Sequence, residues 1–189
     1  MTRSRYWKFI FTAFIIATFS CKEPKKEVES VPETVIESNE LDNYSEKFKK
    51  LVVTDEGILR GFTFITDSSE IKKNENAEPL SSTPDELSYT IELNELELGD
   101  IYYHLKGNEV DTFELDLYLK NKESTDSLLN DFKNFYGHKF GQSHAKGDSV
   151  FLWTDSLTNA EVMLKYINKD VDHGINIYIY RKEEDPKVQ

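Results

Sequence analysis

"LSYTIELNELELGDIYYHLKGNEVDTFELDLYLK", residues 87–120, decides the fold. Within it Leu87, Tyr89, Ile91 and Leu93 alternate with Ser88, Thr90 and Glu92, the two-residue period of a strand with one buried face. Ile101, Tyr103 and Leu105 repeat the alternation. Phe113, Leu115, Leu117 and Leu119 repeat it again after a turn at Gly107, Asn108 and Glu109. Three such segments joined by short polar turns predict an antiparallel meander, apolar on one face and wet on the other.

The period then changes. Leu128, Leu129, Phe132, Phe135 and Tyr136 fall on one stripe of a helix, predicted to begin near Ser124 and to close at Gly137. Three further strands are predicted around 150–153, 162–167 and 175–180. Residues 149–182 lay over 87–120 without a gap, setting Tyr89 on Phe151, Ile91 on Trp153, and Phe113, Leu115 and Leu117 on Ile175, Ile177 and Ile179. In the middle strand the overlay puts Tyr103 on Lys165. A tandem α-β-β-β repeat and two independent meanders of similar length both fit this pattern.

Upstream, Leu41, Tyr44, Phe48, Leu51 and Val52 form a helical stripe with Asp42 as its expected cap, and Asp67 followed by Glu70 has capping-box spacing for a short helix. Residues 76–84, polar with two prolines, read as a loop. The expectation is one α+β domain over 43–182, an antiparallel sheet with helices on one face, followed by a disordered tail at 183–189. In layout alone this resembles the β-lactamase-inhibitor proteins and small envelope-assembly lipoproteins, an analogy of fold that carries no function.

Charge and composition limit what such a domain does. The 189 residues are 38% hydrophobic, 13% aromatic and 31% charged, with a net charge of −12. Residues 1–20 carry Arg3, Arg5 and Lys8 and no acid, so the remainder stands at −15. That excess argues against nucleic-acid backbone binding, which needs Lys and Arg to displace counterions. It argues equally against adhesion to anionic lipid by charge.

The amino terminus has a basic head, "MTRSRYWK", and an apolar run, "FIFTAFIIATFS". The run is too short for the roughly 20 residues a spanning helix needs, and it ends in a small residue, Ser20, directly before Cys21. Cys21 is the single cysteine of the chain, so no intramolecular disulfide forms. This arrangement resembles the lipobox of bacterial lipoproteins, of the loose form found in Bacteroidota. The resemblance implies cleavage before Cys21, acylation of its sulfur and new amine (palmitate being a usual chain), and attachment to the cell envelope. The outer membrane, on its periplasmic or surface side, is the expected address. Two or more acyl chains, at about 0.8 kcal/mol per buried CH₂, hold a protein stably. From Cys21 to Asp42 the chain is rich in Lys, Glu and Pro and lacks aromatic residues, a disordered tether able to reach roughly 70 Å when extended.

Chemical motifs are incomplete. Gly147-Asp148-Ser149 with Asp170-Val171-Asp172-His173 resembles two blocks of the SGNH esterases. In that family the blocks lie far apart with oxyanion blocks between them, whereas here two strands join them, so turns are the preferred reading. Asn168, Asp170 and Asp172 alternate like half a calcium loop, but its sixth and twelfth positions hold His173 and Ile179. A hairpin turn with Gly174 at positive φ accounts for the same residues. His138, His144 and Asp148 are too few for a closed zinc site. No metal and no cofactor is expected. A hydrolytic enzyme would need at least two of His104, Asp148, Asp170 and His173 to converge.

One candidate site remains. If Phe113, Leu115 and Leu117 face the helices together with Ile175, Ile177 and Ile179, the other sheet face carries Tyr102, Glu114, Asp116, Tyr118, Asn176, Tyr178 and Tyr180. Tyrosines beside acids suit a protein-binding surface, although Tyr also suits exposed strands through cross-strand pairing. The sequence thus points to a lipid-anchored, non-catalytic protein-binding module. An immunity-type inhibitor of a basic protein is the alternative.

Overall fold

A computed structural model describes residues 40–182. Cys21, the signal-like segment at 1–20, most of the tether and the tail at 183–189 lie outside the described residues. The tether's last residues belong to the domain, because Glu40–Asn43 form a 3-10 turn that buries Leu41. Helix α1, Glu46–Val52, follows; its cap is Ser45, whose side chain accepts from the Phe48 N–H, and not Asp42. The stripe overruns the cap because an apolar residue in the entry turn packs on the same core as the helix. Helix α2, Ser68–Asn74, is capped by Asp67 as its sequence predicts.

Eight strands make a single antiparallel sheet: β1 Glu78–Ser82, β2 Glu86–Asn94, β3 Glu97–Lys106, β4 Glu109–Tyr118, β5 His144–Lys146, β6 Val150–Asp155, β7 Ala160–Lys169 and β8 Asp172–Arg181. Their order is β1-β2-β3-β4-β8-β7-β6-β5. The edge strand β1 replaces predicted loop, and β5 falls where the sequence predicts no element. Both are short and exposed throughout, so neither carries the alternation that marks a strand in sequence. Pro79 is accommodated in β1 because an edge position needs no ladder N–H there, and the register slips between Pro79 and Ser81.

The α+β architecture follows from the apolar faces. Leu87, Ile91, Ile101, Tyr103, Phe113, Leu115, Leu117, Leu164, Ile175, Ile177 and Ile179 point to the helical side and are buried. Helix α3, Lys122–Phe140, lays Leu128, Phe132, Phe135 and Tyr136 on this face, with Tyr136 against Trp153 at 5.5 Å between ring centroids. It runs past Gly137 and ends at Gly141, which supplies the left-handed φ of 84°. Gly137 simply sits in the helix, where space is open around it. Lys139, in the last turn, donates to the carbonyls of Asp55 and Gly57, both at 2.7 Å.

The two meanders meet at β4 and β8, where Leu115 pairs with Ile177, Phe113 with Ile179 and Leu117 with Ile175. This register relates the halves of the sheet by a local two-fold axis through the Leu115–Ile177 pair, with the same correspondence as the ungapped overlay. In the middle strands the overlay is one residue out. Ile101 pairs with Leu115 and Leu164 with Ile177, which makes Tyr166, and not Lys165, the counterpart of Tyr103.

Gly174 has a different duty from the predicted one. The positive φ of the β7–β8 turn falls on Asp170, at 49°. Gly174 instead lies so close to β4 that a Cβ would come within 2.2 Å of the Leu117 carbonyl oxygen.

Beneath β3 lies a buried ion pair that sequence patterning does not reveal. The Arg60 guanidinium grips Glu75 through two bonds, 2.8 Å from Nε and 2.6 Å from Nη2, and also donates from Nη1 to the carbonyls of Lys50 and Leu51 at the end of α1. Glu75 further accepts from the Tyr103 hydroxyl at 2.6 Å and from the Ala77 N–H at 2.9 Å. Burial works against the charge on Glu75, but these donors win and hold its carboxyl below the usual range. The network ties α1, the segment after α2 and β3 together.

Candidate functional site

The helices cover one side of the sheet, and among the described residues no element covers the opposite side. Cross-strand pairing arranges its side chains in rows. One row runs Leu152, Met163, Tyr178, Glu114, Tyr102 and Ser88 across β6, β7, β8, β4, β3 and β2. The next runs Lys165, Asn176, Asp116, Asp100 and Thr90, and a third sets Ile167, Gly174, Tyr118 and Leu98 side by side. The predicted residues Tyr102, Glu114, Asp116, Tyr118, Asn176, Tyr178 and Tyr180 therefore all lie on this face. Tyr118 is exposed and the others are half-buried among their neighbours.

Leu98 and Asp100 belong to the site too, and so do Glu86, His104 and Glu161. Their signal is present in "ELGDIYYHLK" (97–106), where Leu98, Asp100, Tyr102 and His104 share one parity. A strand begun only at Ile101 leaves the first two out. Gly99 interrupts the inward alternation, and for a packing reason: a Cβ there would meet Leu117 Cδ2 at 2.7 Å and Leu51 Cδ2 at 3.2 Å.

Electrostatics dominate the middle of the face. His104 stands between two carboxylates, with Nε2 2.8 Å from Glu114 Oε2 and Nδ1 3.5 Å from Glu86 Oε2, and its ring stacks near Tyr102. Asp100 accepts from Thr90 Oγ1 at 2.7 Å, Asp116 from the Asn176 amide, and Glu161 from the Tyr180 hydroxyl. Asp100 and Asp116 are direct cross-strand neighbours, a like-charge pairing that destabilises a sheet. Partial burial, then Glu114 and Asp100, push the Asp116 carboxyl up despite the Asn176 bond. Partial burial and the surrounding acids push the Tyr102 hydroxyl up to about 12. Burial and Glu114 push Tyr178 to about 12, and the bond to Glu161 with burial pushes Tyr180 to about 12. At neutral pH these phenols stay protonated, as donors.

The catalytic candidates do not assemble. Ser149 lies in the exposed β5–β6 turn, while His173 at the start of β8 bonds Asn168 through Nδ1 at 2.9 Å. His138 is exposed on α3, His144 is exposed on β5, and Asp148 and Asp170 occupy turns. His104 is the one of the four histidines placed among the face residues. Among the described residues no group of three or more His, Cys, Asp and Glu is placed to hold a metal ion. Among them, too, no helix is long and apolar enough to cross a membrane. No family model, no curated protein and no solved structure matches the chain.

Proposed function

We propose that this chain is an envelope lipoprotein, held by acyl chains on Cys21, whose open sheet face docks another protein. The observation that supports docking is a sheet face that no described element covers. Half-buried tyrosines sit there beside carboxylates and a band of exposed apolar side chains, a composition typical of interface cores and their rims. Tyrosine offers large contact area with few rotors to freeze. The anchor reading is supported by the sequence, through the basic head, the short apolar run and Ser20 before the single Cys21.

The test has two arms. Labelled palmitate should enter the wild-type protein but not Cys21→Ser, and label in both, or in neither, refutes the anchor. A photo-crosslinking amino acid in place of Tyr178 should trap a discrete protein partner in intact envelopes, and the same probe in place of exposed Ser69 on α2 should not. Equal yields at the two positions refute docking on the open face.

A further inference from the structure

We infer that the occupant of this face is a cationic protein segment, with an arginine or lysine seated between Asp100 and Asp116 and an apolar neighbour resting on Leu98, Tyr118 and Ile167. The inference rests on the docking reading and adds the chemistry of the partner.

Two observations carry it. The first is charge without compensation. Glu86, Asp100, Glu114, Asp116 and Glu161 share the face, and none of them pairs with a lysine or arginine among the described residues; the ion pairs that do form with Lys or Arg there are Lys47–Glu97, Lys49–Glu46, Arg60–Glu75 and Lys122–Asp126. Lys165, the nearest cation on the face by register, stands opposite Asn176 on the far side of β8. A guanidinium from outside would meet two carboxylates on adjacent strands, flanked by the rings of Tyr102 and Tyr118, against which its stem and charge are favourably placed.

The second is the apolar band beside the acids. Leu98 is 37% exposed and Tyr118 53%, and just beyond them the β2–β3 and β7–β8 turns hold out Leu96 at 75% and Val171 at 87%. Gly174 separates Tyr118 from Ile167 in this row and adds no side chain. Single exposed apolar residues are ordinary, but here several lie at one end of the sheet. Charge favours a basic segment, and the band next to it favours one with an apolar side chain adjoining the base.

The experiment uses the full-length protein in detergent and a capped octapeptide with two arginines between leucines. Its analogue carries citrulline, which keeps the shape and loses the charge. Hydrogen exchange should show protection by the arginine peptide on β3, β4 and β8, and the citrulline analogue should bind about tenfold more weakly. Asp100→Asn/Asp116→Asn should weaken the arginine peptide about tenfold. Glu70→Gln/Glu123→Gln, the same loss of charge on exposed helix positions, should change it less than about twofold. Equal weakening by both double variants assigns the binding to bulk charge and overturns the proposal, as does protection confined to the helical side. Calcium producing the same protection and displacing the peptide would make the acids a cation site and overturn it too. Crosslinks at position 178 with no arginine preference would refute this chemistry and leave the docking reading standing, whereas failure of crosslinking refutes the docking reading itself.

Discussion

Cutting one half of the Arg60–Glu75 pair is the sharpest test of how the domain is held. The side chains are 6% and 1% exposed, so Glu75→Gln strands a guanidinium out of water opposite a neutral amide. Breaking a buried pair from one side costs about 3–5 kcal/mol, a large share of the roughly 5–15 kcal/mol that holds a domain together. Arg60→Met should cost as much, because it strands Glu75 and also releases the Lys50 and Leu51 carbonyls. The double variant removes both charges but leaves those carbonyls without their donor, and the Tyr103 hydroxyl and the Ala77 N–H with one amide oxygen where there were two carboxylate oxygens, each lost bond worth on the order of 1 kcal/mol. It should therefore stay destabilised, yet by about 2–3 kcal/mol less than the sum of the two singles. Urea unfolding followed by the fluorescence of Trp153, which is buried against Tyr136, measures all three variants. Additivity within about 0.5 kcal/mol would mean the two charges act independently, and the reasoning would be refuted. The pH dependence has a fixed sign. Glu75 is held below its ordinary value, so its contribution is complete above that value and is lost as pH falls through the lower, folded one.

Gly174→Ala should destabilise the domain by at least about 2 kcal/mol in the same urea assay, since the Leu117 carbonyl at 2.2 Å is backbone and cannot step aside. Gly137→Ala should do the reverse and stabilise by up to about 0.5–1 kcal/mol, because its Cβ meets open space in the last turn of α3. For Glu97, burial raises the carboxyl, but Lys47, Ser124 and the Lys120 N–H outweigh it and hold it at about 2. Unfolded, the group takes its proton near 4.5, so stability should drop between about pH 4.5 and pH 2, and Glu97→Gln should flatten that part of the acid-unfolding profile. Asp100→Asn keeps an acceptor for Thr90 and removes the repulsion from Asp116, so it should stabilise by about 0.2–1 kcal/mol; a loss of stability would show that the like-charge pairing costs the fold nothing.

What the sequence made legible was whatever a periodic buried face writes into it. Strands β2, β4, β7 and β8 and the stripe of α3 alternate or repeat because every inward position meets the same core. Positions with another duty broke the reading. Gly99 and Gly174 are required by the approach of Leu117, which lies distant in sequence from both. Ser45 caps α1 in place of Asp42 because the buried Leu41 belongs to a separate turn. Arg60 and Glu75 have no local partner pattern at all; they meet because α1, α2 and β3 converge, and Arg60 holds a left-handed φ of 56° in doing so. The open face was legible in its tyrosines, and half hidden in its acids, because Asp100 stands before the residue at which the alternation becomes obvious.

The local two-fold axis separates what folding demands from what it leaves free. On the inner side both halves of the sheet answer alike: Phe113 and Ile175, Leu115 and Ile177, Leu117 and Ile179, Ile101 and Leu164, Tyr103 and Tyr166 take equivalent places, and a core must be filled on both sides of its axis. On the outer side Tyr118 answers to Tyr180, but the other equivalents around the acids diverge. Asp100 answers to Met163, Tyr102 to Lys165, Glu114 to Asn176 and Asp116 to Tyr178. The same backbone thus carries an apolar residue, a cation, an amide and a phenol in one half where the other carries three acids and a tyrosine. Strand pairing cannot require the acids, since the equivalent positions pair without them. Packing within the described residues does not require them either, since no described element covers that face. A like-charge pair kept at such a place is a cost to the fold that a bound cation would offset, so the docking proposal predicts the charged contact over β3 and β4 rather than on the axis.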